Sequence, residues 1–133
     1  MRVLVLVKAS KDCESGVKQD ANHLAEMARY NGDLLKAGVL LSVDALQPSS
    51  QGARVHFTGG KQAVVDGPFV ESKELVGGYW LWQVNSLQEA IAWIRRAPFR
   101  DAEIELRPIR PAEEAFGPDH PVKESRLRHA AEV

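Results

Sequence analysis

Residues 75–94, LVGGYWLWQVNSLQEAIAWI, decide the fold of this 133-residue chain. Their first half is almost wholly apolar, and strand alternation sends Trp80, Trp82 and Val84 to one side and Tyr79, Leu81 and Gln83 to the other. The second half opens with Ser86-Leu87-Gln88-Glu89, a capping box in which the two polar side chains satisfy helix-start amides reciprocally. Leu87, Ala90, Ile91 and Ile94 then recur at helical spacing, and Pro98 lies just past the end. The segment reads as a central strand feeding an amphipathic helix.

The same pattern appears once more towards the N-terminus. Residues 3–7, VLVLV, are apolar at every position and predict a strand covered on both faces. Asp20 to Ala37 reads as a helix, capped by Asp20 and ended by Gly38, with Leu24, Met27, Leu34 and Leu35 mostly on one face. Asn31 and Gly32 weaken its middle. Residues 39–46, VLLSVDAL, predict a second strand, stopped by Gln47-Pro48. ARVHF and QAVV flank Thr58-Gly59-Gly60-Lys61, a hairpin signal. EIELRPI, 103–109, predicts a last strand with Ile104 and Leu106 inward.

With the hairpin set aside as an insertion, the order is βαββαβ, a ferredoxin-like α+β arrangement in which the first and third core strands are central. Two helices cover one face of such a sheet, yet its central strands are apolar on both. That predicts a homodimer packing sheet against sheet into a dimeric α+β barrel, since a monomer would leave a large apolar patch in water. The rival expectation is that the hairpin and the tail cover the second face. The domain spans 1–110; residues 111–133 form a polar tail that admits a short charged helix near 122–131.

Composition narrows the function classes. A formal net charge of −1 gives no field for direct nucleic-acid or anionic-membrane binding. The single cysteine, Cys13, allows no internal disulfide and no thiolate metal site. The opening MRVLVLVKAS is too short for a secretory signal or a membrane span, so a cytoplasmic domain is expected. No two histidines stand four apart and no phosphate loop is present, so no metal and no cofactor are expected.

At 66–74, DGPFVESKE resembles the signature of the DGPF (YCII-related) family, close to DGPFAETKE, with Val70 and Ser72 as the departures. AGVLLSVDALQPSS at 37–50 and GGYWLWQVNSLQEAIAWIRRAP at 77–98 resemble the family's flanking segments. The resemblance implies a ferredoxin-like domain that dimerises into an α+β barrel. It leaves activity open: a related branch includes a dehydrochlorinase of a chlorinated aromatic with a proposed His–Asp pair, and some members are associated with extracytoplasmic-function sigma factors. The branch's histidine falls nearer Met27 than His23 in this chain, so that pair does not transfer.

Several residues are candidates for chemistry. Asp66 either starts a turn or offers a carboxylate as a base. Asp44 sits inside an apolar strand, where burial would suit it to proton transfer, although strand parity places it with Ser42 on a polar face. Phe69, Tyr79, Trp80 and Trp82 are expected to line a pocket at the sheet interface, suited to a small planar or aromatic compound, with Lys73 as an anion contact. Two functions follow: acid–base chemistry by Asp44 or Asp66, or non-catalytic binding of a ligand or a regulatory protein such as a sigma factor.

Overall fold

A computed structural model describes residues 1–16, 19–69 and 74–119. Among the described residues, six strands and four helices run in the order β1 (Arg2–Lys8), α1 (Lys11–Ser15), α2 (Ala21–Lys36), β2 (Leu40–Ala45), β3 (Ala53–Thr58), β4 (Lys61–Asp66), β5 (Val76–Gln83), α3 (Leu87–Ile94), β6 (Ile104–Pro108) and α4 (Ala112–Phe116). A 3₁₀ turn at Ser49–Gln51 joins β2 to β3. The main sheet has the order β2-β5-β1-β6 with antiparallel neighbours, compatible with a ferredoxin-like α+β fold. The two most apolar strands, β1 and β5, are the central pair.

The alternation visible in the sequence becomes two different faces. Val3 lies opposite Trp82 and Val5 opposite Trp80, and all four are at most 1% exposed. The two long helices, α2 and α3, pack on this face through Tyr30, Leu34 and Ala90. Rings lock the layer: Tyr30 and Phe99 each meet Trp80 edge-on, with centroids 5.7 and 6.0 Å away. Such pairs add about 0.5–1.5 kcal/mol beyond the area they bury.

Helix α2 turns a different stripe inward from the one expected. Met27, Tyr30 and Leu34 face the core, whereas Leu24 and Leu35 are 57% and 64% exposed. Tyr30 wins the inward position because its hydroxyl donates to the Trp93 carbonyl of α3 at 2.6 Å, tying the helices together. Asn31, a weak helix former, accepts from Trp80 Nε1 at 2.7 Å. Without it, the buried indole N–H would lack a partner, a larger loss than the propensity deficit. Both predicted caps form: Asp20 accepts from the His23 amide and Ser86 Oγ from the Glu89 amide, while the Glu89 carboxylate reaches back one residue past the cap and accepts from the Asn85 amide.

The β3–β4 hairpin turns through Gly59 and Gly60, both at positive φ, and every residue of both strands is exposed. It therefore does not cover the second face of the main sheet. The tail expected to help cover that face lies, from residue 120, outside the described residues.

Candidate functional site

The second face of the sheet carries Leu4 opposite Leu81 and Leu6 opposite Tyr79, all partly exposed. Neither long helix covers them, since both pack on the tryptophan side. Polar groups rim this apolar strip. On the β6 side, Lys8 and Arg107 pair with Glu105 at 3.5 and 3.1 Å. On the β2 side, the Tyr79 hydroxyl donates to Asp44 Oδ2 at 2.6 Å. The Asp44 bond pushes the Tyr79 pKa up, so the phenol keeps its proton well into the alkaline range and stays a donor.

A cleft of about 430 Å³ opens further along the same ladder. Asp44 pairs with Tyr79 and Ala45 with Gly78, and the Leu46 amide then bonds the Gly77 carbonyl. Leu46 and Val76 line the cleft with Leu75, Ser49, Arg54 and Phe69. Two residues of strand, about 7 Å, separate Asp44 from Leu46. The Arg54 guanidinium lies 4.0 Å from the centroid of the Phe69 ring, a cation–π contact that places a positive charge at the cleft's edge.

The Asp66-Gly67-Pro68-Phe69 turn is held by a network that the sequence did not reveal. Glu14 of α1 accepts from the Ser49 amide at 2.9 Å and from the Ser49 hydroxyl, whose oxygen accepts in turn from the Phe69 amide at 3.0 Å. The bonds from Ser49 hold the Glu14 carboxyl below its ordinary pKa. A side chain at residue 67 would collide with the Ser49 carbonyl oxygen, so glycine is required there for close approach. The Gly67-Pro68 bond is cis. One glutamate and one serine, far apart in sequence, thus set where Phe69 stands.

The remaining expected site residues are dispersed. Trp80 and Trp82 are buried at 1% and 0% in the helix-covered core, on the opposite face from Tyr79, and neither lines the cleft. Their placement follows from the helices, which cover the bulkier row of β5. Asp66 is exposed at the end of β4, paired with Ala53, and also stands apart from the cleft lining. Lys73 lies outside the described residues. His23, half-buried at the start of α2, rests 6.5 Å from the Phe99 ring. Cys13 is partly buried near Gly77, and burial, then the Glu14 charge, raises its thiol pKa. Among the described residues, no helix is long and apolar enough to cross a membrane.

The family model of the YCII-related domain matches residues 1–113, which includes β1, the hairpin, the cis-proline turn and β6. The chain belongs to the YCII-related domain family. It is also similar to an uncharacterized protein of Rhizobium meliloti (strain 1021), at 30% identity over 95 residues, covering 69% of this chain and 77% of that protein. For this YCII-related chain, the match extends through the elements that build the cleft and the uncovered sheet face.

Proposed function

We propose that this YCII-related chain is a homodimer that binds a small planar or aromatic molecule in the cleft between Phe69, Arg54 and Leu46, at the edge of an interface made by the uncovered sheet faces. The observation that carries this reading is the shared ladder. The apolar strip, the Asp44–Tyr79 pair and the cleft occupy one surface, and the cleft volume falls within the range that holds small ligands. A second sheet laid over that strip would take the pair out of water and strengthen its hydrogen bond. Two such sheets would form the α+β barrel that the fold class suggests.

In this reading Phe69 supplies a face for stacking, and Arg54 supplies charge for an anionic substituent. Tyr79 and Asp44 form the acid–base unit: the phenol is the proton donor and the carboxylate the acceptor. Asp66 contributes through the turn it begins. A second reading, a binder without turnover that serves a regulatory partner such as a sigma factor, draws support from the separation of Asp44 and Asp66. Two carboxylates that do not share a cleft do not make an acid–base pair.

A ligand panel of planar acids and phenols, read by thermal shift, tests the site, because a ligand that binds the native state stabilises it whatever its fate. Compounds that raise the melting temperature of wild type should lose that effect in Phe69→Ala and Arg54→Ala. Stabilisation undiminished in both variants would place the ligand elsewhere. Tyr79→Phe then separates the two readings: turnover lost with binding retained supports chemistry, and no turnover in wild type supports the binder. The pair itself can be followed by ultraviolet titration of the phenols. Asp44→Asn should bring the Tyr79 pKa down towards its ordinary value, and an unchanged curve would contradict the pairing.

A further inference from the structure

Helix α1 is held to the rest of the molecule at few points. It is five residues long, too short to be stable alone, and none of its residues is buried. Its own bonds are local: Ser10 caps its start, and Gly16 ends it at positive φ. Among the described residues, the hydrogen bonds that tie it to another element all end on Glu14. The Ser49 amide donates to one carboxylate oxygen and the Ser49 hydroxyl to the other. A second support is Cys13, whose Sγ lies 3.2 Å from where a side-chain carbon on Gly77 of β5 would start.

The chain enters α1 from a fixed point, since the Ala9 amide donates to the Leu75 carbonyl at 2.8 Å. Leu75 is buried and lines the cleft, and Glu14 lines the same cleft. Helix α1 is therefore a wall of the cleft, anchored at Ala9 and fastened at Glu14.

The fastening point is shared with the aromatic wall. The Ser49 hydroxyl donates to Glu14 and accepts from the Phe69 amide at 3.0 Å, so one oxygen holds both. The Ser49 carbonyl accepts from the Gly52 amide at 2.9 Å, and the Gly52 carbonyl from the Gly67 amide at 3.0 Å. Arg54, two residues beyond Gly52, lies over the Phe69 ring. A displacement of Ser49 thus reaches α1, the turn and Arg54 together, and bonds in such a chain reinforce one another. A short element with no buried side chain belongs to the part of a fold that opens most easily.

The geometry points to α1 as a movable wall of the cleft, fastened by Glu14 to Ser49, with Ser49 as the positioning residue that couples its closure to the seating of Phe69 and Arg54. That this wall closes on a planar aromatic anion rests on the cleft reading above; the fastening itself does not. A ligand that needs both walls holds α1 down, and loosening the Ser49 bonds weakens that ligand in return.

Cys13 is the chain's one cysteine, and its alkylation by uncharged N-ethylmaleimide reports how often α1 lifts from Gly77. Ser49→Ala and Glu14→Asp break the fastening but keep the negative charge beside the thiol, so a changed rate reports seating and not thiol ionisation. Each should speed alkylation about fivefold or more, with circular dichroism unchanged. Gly67→Ala should act likewise from the other side, because its side chain would meet the Ser49 carbonyl first. Phe69→Ala keeps the backbone amide that bonds Ser49 and should leave the rate near that of wild type. Anilinonaphthalene sulfonate, a fluorescent aromatic anion, at about ten times its Kd should slow wild-type alkylation about tenfold.

If Ser49→Ala and Glu14→Asp react at the wild-type rate, or Phe69→Ala reacts as fast as they should, α1 is not fastened through Ser49 and the inference falls. It falls too if wild-type Cys13 already reacts as fast as in urea. If the dye binds through Phe69 and Arg54 yet leaves the rate unchanged, the cleft reading stands and α1 is not its wall. If the fastening variants behave as expected but dye binding survives both Phe69→Ala and Arg54→Ala, the fastening stands and the cleft reading falls.

Discussion

The two faces of the main sheet are built from alternate residues of the same strands, and they have opposite fates. Val3, Val5, Trp80 and Trp82 are fully enclosed by helices, whereas Leu4, Leu6, Tyr79 and Leu81, one residue along, stay partly open. The closed face is aromatic, its ring contacts tilted or edge-on, and Trp80 is bonded through its indole to Asn31. The open face is aliphatic at its centre and charged at its rim, with Asp44 bonded to Tyr79 on one side and Lys8, Glu105 and Arg107 on the other. The first is a finished core. The second, an apolar strip with a polar rim, has the make-up on which the proposed dimer rests.

The largest break between the faces should come from truncating each in turn. Trp80→Ala removes a side chain that is 1% exposed and should destabilise the fold by about 3–5 kcal/mol. Leu81→Ala should lower the stability of the isolated chain less, because its side chain is already partly in water. Chemical denaturation of both, at a concentration where wild type is dissociated, reads the difference. Equal losses would mean that the second face is covered within the chain.

A smaller contrast lies inside the closed face. Trp80 Nε1 has its Asn31 partner, while Trp82 Nε1 is buried with none among the described residues. Trp80→Phe therefore leaves an acceptor unpaired, whereas Trp82→Phe removes a donor that had no partner. The first should be the more costly by about 1 kcal/mol. If Trp82→Phe is the worse, the indole of Trp82 has a partner that this arrangement lacks.

Most of the closed face was legible in the sequence. The capping box, the Asp20 cap, the glycine turn and the apolar runs of β1 and β5 are local signals, and each fell within a residue or two of its expected place. What was not legible depended on contacts between distant segments. Nothing local says that Tyr30 rather than Leu24 or Leu35 faces inward, because that choice is made by a carbonyl of α3. Nothing in one strand says which of its two rows the helices will cover, and so Trp80 and Trp82, expected at the sheet interface, lie instead under the helices. The Asp66–Phe69 turn stood out as a motif, but its anchors, Glu14 and Ser49, come from two other segments and carry no pattern of their own. Helices α1 and α4, five residues each, are too short to leave a periodic signal.

The smallest expected effect concerns that anchor and sharpens the contrast between the sheet body and the cleft. The Glu14 carboxyl is held below its ordinary pKa by its bonds from Ser49. A depressed carboxylate stabilises the native state above its unfolded pKa, and that contribution is lost as pH falls through the lower, folded value. Acidification should therefore loosen the Ser49 and Phe69 amides before the sheet, as seen by amide exchange, and Glu14→Gln should remove the pH dependence. Uniform loosening of sheet and turn would mean that the anchor is not independent.

The central claim is that the open sheet face is a surface for a second copy, and sedimentation equilibrium of wild type beside Leu81→Asp tests it most directly. The account predicts the mass of two chains for wild type and of one folded chain for the variant, whose carboxylate would otherwise be buried unpaired in the interface. A wild-type chain that sediments as a monomer, or a Leu81→Asp dimer as tight as wild type, would contradict it.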